Sequence, residues 1–258
     1  MRVAKHVILR PVSRLREWLS PAPQPDPILF IHIAKTAGTS MRRMLQEEFG
    51  SRRVYPGDHY LRRLPHGMYP PCSELLRDHA RLPRHDVLVG HFSAAMADLL
   101  PRPYRTATFL REPVQRSLSM LGQHSRMWGV PVGALLDDPK FMNDNIADFQ
   151  TRILGADGVC NPHEAGSIDD AMLARALGRL ETIDFVGLTE RFAESCALFD
   201  ARFGTSVSSR IRRDVVNRPG GTELSEHIPR VAALLDRDRV LYERAVACFG
   251  ARVASARH

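Results

Sequence analysis

Lysine is scarce in this chain: Lys5, Lys35 and Lys140 are the only three among 36 basic residues, and the rest are arginine. Against that background, a lysine at a special position points to a need for a compact ammonium. Cysteine is scarce too. Cys72, Cys160, Cys196 and Cys248 show neither CxxC nor Cys/His ligand spacing, which argues against zinc and leaves free, largely buried thiols as the expectation. Aromatics are 7% of the residues and do not interleave with the scattered arginines, so a nucleic-acid binder is disfavoured. No apolar run approaches the ~20 residues of a transmembrane helix. The N-terminal stretch MRVAKHVILRPVSRLREWLS is basic, but it lacks the apolar core and cleavage site of a signal peptide. These absences predict a soluble, cytoplasmic protein.

The composition that remains is that of a globular chain: 258 residues, 44% hydrophobic and 25% charged, with 18 Pro and 17 Gly. This fits one large α/β domain and rules out a disordered chain, a collagen and a coiled coil. A formal charge of +7 favours acidic partners such as nucleotides, phosphate groups, anionic glycans or membrane surfaces.

Residues 1–26 read as a basic arm followed by a stiff linker at Pro21, Pro23 and Pro25, with Pro27 opening the domain. Residues 1–20 would form a short amphipathic helix, either a loosely docked arm or a peripheral membrane-surface contact. A single domain is then expected over residues 27–258. Strands are predicted at ILFIHI (28–33), DVLVGH (86–91), RTATFL (105–110) and DFVGL (184–188), with another around Arg210–Val216. Helices are predicted after the first strand (Met41, Met44, Leu45, Phe49), from Pro113 (Val114, Leu118, Leu121), and after a Ser167/Asp170 capping box (Leu173, Ala176, Leu177, Leu180). One more is expected behind a Thr189 cap (Phe192, Cys196, Phe199, Phe203), and one or two close the chain. Strands alternating with helices imply a three-layer sandwich, its central and mainly parallel sheet flanked by helices, with ligands at the carboxyl ends of the strands.

Two strand ends carry more polar groups than a structural loop needs. The first is His32-Ile33-Ala34-Lys35-Thr36-Ala37-Gly38-Thr39-Ser40. It places backbone N–H groups, hydroxyls and one ammonium at a helix N-terminus, a cradle for an anion. It does not match the nucleotide P-loop G-x-x-x-x-G-K-[ST], because the Lys precedes the Gly and the leading Gly is absent. The second is Arg111-Glu112-Pro113-Val114-Gln115-Arg116-Ser117-Leu118-Ser119, where a guanidinium and a hydroxyl can hold a further phosphate.

Together these segments resemble the 5′-phosphosulfate loop and the 3′-phosphate site of sulfotransferases that use 3′-phosphoadenosine 5′-phosphosulfate. The closest resemblance is to the branch containing the heparan sulfate 2-O-sulfotransferases and their bacterial relatives. FIHIAKTAGTS matches the loop, Arg111, Pro113, Arg116 and Ser119 match R-x-P-x-x-R-x-x-S, and VGHF (89–92) resembles the segment with a catalytic His. DNIADFQTRILG (144–155) and FVGLTERF (185–192) look like further blocks of the family. The resemblance implies a P-loop-like α/β sandwich. It implies that Lys35, Thr36, Ala37, Gly38, Thr39 and Ser40 hold the 5′-phosphosulfate, that Arg111 and Ser119 hold the 3′-phosphate, and that His91 is the general base. The acceptor would be a hydroxyl of a saccharide or glycolipid, with no metal required. Other classes compatible with the residues are a non-catalytic nucleotide-binding module and an atypical P-loop kinase.

Other polar residues have two readings each. His91 is alternatively a strand-terminal His bonded to backbone, and His32, inside the first strand, reads as a packing or supporting residue. Asp58, His59 and His66 lie in the poorly patterned segment 51–85, which reads as surface loop or as acceptor wall. Glu112 either orients a neighbour or faces solvent. Asn217–Gly221 either closes over the nucleotide or is a plain Gly-rich turn.

Overall fold

The computed structural model of the chain describes residues 26–62, 64, 69–77, 82–211 and 222–255. The arm and most of the linker, together with the side chain of His59, His66 and Asn217–Gly221, lie outside the described residues. Five short strands form one all-parallel sheet: β1 (Ile28–Ile31), β2 (Val54–Tyr55), β3 (Val87–Gly90), β4 (Arg105–Leu110) and β5 (Phe185–Leu188). Their order is β2-β3-β1-β4-β5. The longer helices are α1 (Gly38–Phe49), α2 (Pro113–Trp128), α3 (Phe149–Gly155), α4 (Asp170–Thr182), α5 (Phe192–Phe203) and α6 (Asp236–Ser255). Among the described residues no helix is long and apolar enough to cross a membrane.

The strands are buried on both faces, as continuous Ile/Leu/Val/Phe runs require. Leu29, Ile31, Leu88, Val186 and Leu188 face a core shared with Ile153 of α3, Leu180 of α4 and Phe249 of α6. Ile28, Phe30, Val89, Ala107 and Phe109 face the opposite core, shared with Met41 and Leu45 of α1 and Phe199 of α5. Period-two alternation thus sends successive residues to two helix layers, and each fully buried large side chain contributes about 1.5–3 kcal/mol. A third cluster packs Leu118 and Leu121 of α2 against Leu135, Phe141 and Val231.

Several expectations are corrected. The strand expected around Arg210–Val216 lies mostly outside the described residues; ahead of it, Val207–Arg210 is a 3₁₀ turn, held by Asp200 accepting from the backbone of Val207 and Ser208. β2 was not expected, because two residues are too short to leave a pattern. The cap of α4 is Asp169, whose carboxylate accepts from Met172 N, and not Ser167. Thr189 does not cap α5; its hydroxyl donates to the backbone oxygen of Leu110 and docks the end of β5 onto the end of β4. Cys72 and Cys160 form a disulfide with Cα atoms 5.9 Å apart, so only Cys196 and Cys248 are free thiols. Eighty-eight residues separate the bridged pair, a distance over which spacing carries no information.

Candidate functional site

Sheet order decides where a site forms. The chain leaves β1 towards β2 on one side and leaves β4 towards β5 on the other, so a crevice opens between their carboxyl ends. His32 directly follows β1, His91 directly follows β3 and Arg111 directly follows β4, three adjacent strands. These residues border a cavity of about 1820 Å³ together with Lys35, Ala37, Gly38, Thr39 and Ser40. Ligand pockets commonly measure about 300–1,000 Å³, so this one has room for two substrates.

The loop between β1 and α1 is built to receive an anion. Lys35 (φ 73°) and Ala37 (φ 64°) are both left-handed, a conformation that costs a non-glycine residue roughly 1–2 kcal/mol. Such turns aim successive N–H groups into one concavity. No side chain caps α1, and no acidic residue stands in its first turn. Its terminal donors are therefore open. The N-terminus of α2 is already filled, because Glu112 is its N-cap and accepts from Val114 N and Gln115 N. That settles the role of Glu112.

Cations crowd this loop. Arg111 Nη1 donates to the backbone oxygen of Lys35 at 3.2 Å, and Lys35 Nζ donates to Gln123 of α2 at 2.6 Å. Arg116 is fully buried, donates to the backbone oxygens of Ala34 and Asn145, and lies 4.1 Å over the Phe149 ring. Burial pushes its pKa down to about 9. Burial, then the charges of Arg111, Arg126 and Arg116, lowers the pKa of Lys35. Each cation in this group makes the others less comfortable, and an anion would relieve them all.

The two carboxylates that line the cavity are engaged elsewhere. Asp58 accepts from Arg42 and Gln46, while Glu190 accepts from Glu112 N and from the Tyr242 hydroxyl. Among the described residues no group of three or more His, Cys, Asp or Glu is arranged to hold a metal.

His91 lines the cavity with its side chain exposed there, while its ring packs against His32 and Tyr69. Desolvation by the surrounding protein, followed by the positive charges of Arg116 and His163, lowers its pKa to about 4. It is a neutral imidazole at pH 7. His32 is buried, with its pKa held well below the ordinary value by the same desolvation.

Two residues expected at the site do not offer their side chains to the cavity. The Thr36 hydroxyl donates to Ile33 O at 2.9 Å and its side chain is buried, so only its backbone is available to a ligand. Ser119, half-buried on α2, does not line the cavity. Of segment 51–85, Asp58, Leu61, Arg62, Leu64 and Tyr69 do form one wall.

Other residues matter that the sequence reading left unassigned. Gln150, fully buried on α3, accepts from Arg111 N at 3.0 Å and donates to Arg111 O at 2.9 Å. Asp238 of α6 in turn accepts from Gln150 N, Thr151 N and the Thr151 hydroxyl. This explains the DNIADFQTRILG block as the support of the Arg111 backbone. FVGLTERF supports the same turn through Thr189 and Glu190.

The fold and site thus define an α/β protein with a large cationic cavity at the switch point of its parallel sheet. Comparison with protein-family models and with curated proteins finds no match.

Proposed function

We propose that the protein is an O-sulfotransferase that moves a sulfuryl group from 3′-phosphoadenosine 5′-phosphosulfate to an acceptor hydroxyl, in a P-loop-like sandwich. The observation that carries this reading is the joining of Arg111 to Lys35 across an uncapped helix N-terminus, with a neutral His91 in the same cavity. The α1 N-terminus and Lys35 would hold the 5′-phosphosulfate, and the Arg111 guanidinium would take the 3′-phosphate. Ser119 does not line the cavity, so the 3′-phosphate contact rests on Arg111.

Sulfuryl transfer builds negative charge on the departing phosphate oxygen, and fixed N–H dipoles with an ammonium stabilise it where it forms. Lys35 fills that role as a compact charge with its position set by Gln123. His91 accepts the acceptor's hydroxyl proton, a step typically worth ~10²–10⁴ in rate. A bound dianion offsets the surrounding cations and raises the pKa of His91 towards neutrality, where a base works best.

The cavity volume leaves space for a saccharide or glycolipid hydroxyl beside the nucleotide. Trp128 is 53% exposed and borders the cavity, a flat apolar face suited to a sugar ring. The Cys72–Cys160 disulfide supports an oxidising compartment over the expected cytoplasm.

Calorimetry with 3′-phosphoadenosine 5′-phosphate, ADP and ATP-magnesium tests the donor on wild type and Arg111→Ala. Binding of the 3′-phosphorylated nucleotide alone, weakened in the variant, is the expected result. Preference for ATP-magnesium would replace this reading with a kinase, and binding of none with a non-catalytic module.

A further inference from the structure

His32 and Tyr69 stand at the site with no part in the chemistry above. The pairing of Ile31 with Gly90 places the next residues, His32 and His91, side by side on adjacent parallel strands. Their rings are 4.6 Å apart at 68°, edge to face. His32 also presses on the anion loop: a Cβ at Gly38 would stand 1.8 Å from its Cδ2. Tyr69 closes the third side, with its hydroxyl 3.1 Å from His32 Nδ1 and its ring 4.5 Å from that of His91. Burial raises the pKa of the phenol to about 12, so it keeps its proton and can donate to Nδ1. The ring proton of His32 then sits on Nε2.

We propose that His32, clamped by Tyr69, is a positioning residue that couples the anion loop at Gly38 to the His91 base. A ring wedged between the loop and the base cannot shift without displacing one of them, because packed interiors leave no slack. The proposal rests on His91 being the base of the transfer reaction, but the contacts exist independently of it. His32 faces Lys35, Arg42 and His91, and His91 faces Arg116 and His163. An anion arriving at the loop offsets the first of these charges and is felt at both imidazoles. Tyr69 is tethered in place, since Cys72 bonds Cys160, whose backbone oxygen accepts from Ser93 N beside the His91 loop.

The test is long-range proton–nitrogen NMR on the full chain with labelled histidine, comparing wild type, Tyr69→Phe and His32→Gln. Wild type should show His32 as a single Nε2–H tautomer, with a nuclear Overhauser contact between the His32 and His91 rings. Tyr69→Phe should mix the His32 tautomers and move the His91 titration midpoint by about half a pH unit. Adding adenosine 3′,5′-bisphosphate should raise both midpoints together in wild type, and should raise that of His91 less than half as far in His32→Gln. His91 signals that superimpose in Tyr69→Phe and wild type would overturn the proposal. If that variant does not fold, absence of the ring contact in wild type does so. Failure of the bisphosphate to bind wild type would sink the proposed function, while the free-protein spectra still decide the coupling.

Discussion

The guanidinium of Arg111 donates to the backbone oxygen of Lys35, joining the ends of two adjacent strands whose residues lie 76 positions apart. One side chain therefore acts in two ways, by offering charge to a ligand and by holding the loop that carries the ammonium. Arg111→Lys retains the first and loses the planar fork. Its affinity for 3′-phosphoadenosine 5′-phosphate should fall about tenfold or more, and that of Arg111→Ala further, as read by calorimetry.

Gln150→Leu should weaken the same nucleotide although Gln150 does not touch the cavity. The substitution leaves Arg111 N and O without their amide partner, at about 1–3 kcal/mol of stability. A urea titration measures the first loss and calorimetry the second. Unchanged affinity in a destabilised protein would separate the support of the fold from the support of the site.

As the proposed base, His91 would set the acid limb of activity. A base works only when neutral, and kcat/KM reports the free protein's pKa. With that value lowered to about 4, kcat/KM should stay flat as pH falls from neutrality. An ordinary imidazole would lose most of its rate below about pH 6. His91→Ala should reduce turnover by about 10²–10⁴ with nucleotide binding retained.

Stability against acid carries two opposing contributions. His91 and His32 have folded pKa values below the ordinary 6.5, so the stability they contribute is present above that value and lost as pH falls through and below it. Burial raises Asp238 to about 6, so its contribution is present below its unfolded value of 3.8 and lost as pH rises through about 6. In Asp238→Asn the second contribution is gone. Urea midpoints between about pH 7 and about pH 5 should then fall more steeply than in wild type.

Reduction of Cys72–Cys160 releases the segment that carries Tyr69. By loop-closure entropy a bridge across 88 residues is worth about 4.6 kcal/mol. Cys72→Ser should melt at lower temperature than wild type under oxidising conditions and match it in reductant. A wild-type melting temperature indifferent to reductant would show that the bridge does not form in solution.

The parts that were legible in the sequence are those written in consecutive residues. β1, β3, β4 and β5 announce themselves as apolar runs, and Pro113 marks the start of α2, because burial and backbone geometry act locally. Alternation put Lys35 and Arg111 at strand ends, but that they meet depends on β1 and β4 being neighbours in the sheet, which no stretch of sequence states. What stayed hidden depends on contacts between distant residues. Gln150 reaches Arg111 from 39 positions away, and the Cys72–Cys160 pair and the Tyr69–His32 contact have no local signature. Thr36 and Ser119 look equivalent to Thr39 and Ser40 in a motif, and only the packed structure shows which of them reach the cavity. Val54–Tyr55 is too brief for any period to show, and Asp169 won the cap of α4 over Ser167 by standing one residue before the helix.

Asp238 holds Gln150, and Gln150 holds the turn at Arg111. The order of synthesis therefore matters. While a ribosome is still making the chain, every strand of the sheet can have emerged before α6 exists. Until Asp238 has left the exit tunnel, the turn at Arg111 lacks its last support. A nascent chain would thus expose all five strands before the Arg111 turn is braced, and a product truncated ahead of residue 238 would lack both that brace and the Leu241 and Phe249 packing that closes one face of the sheet.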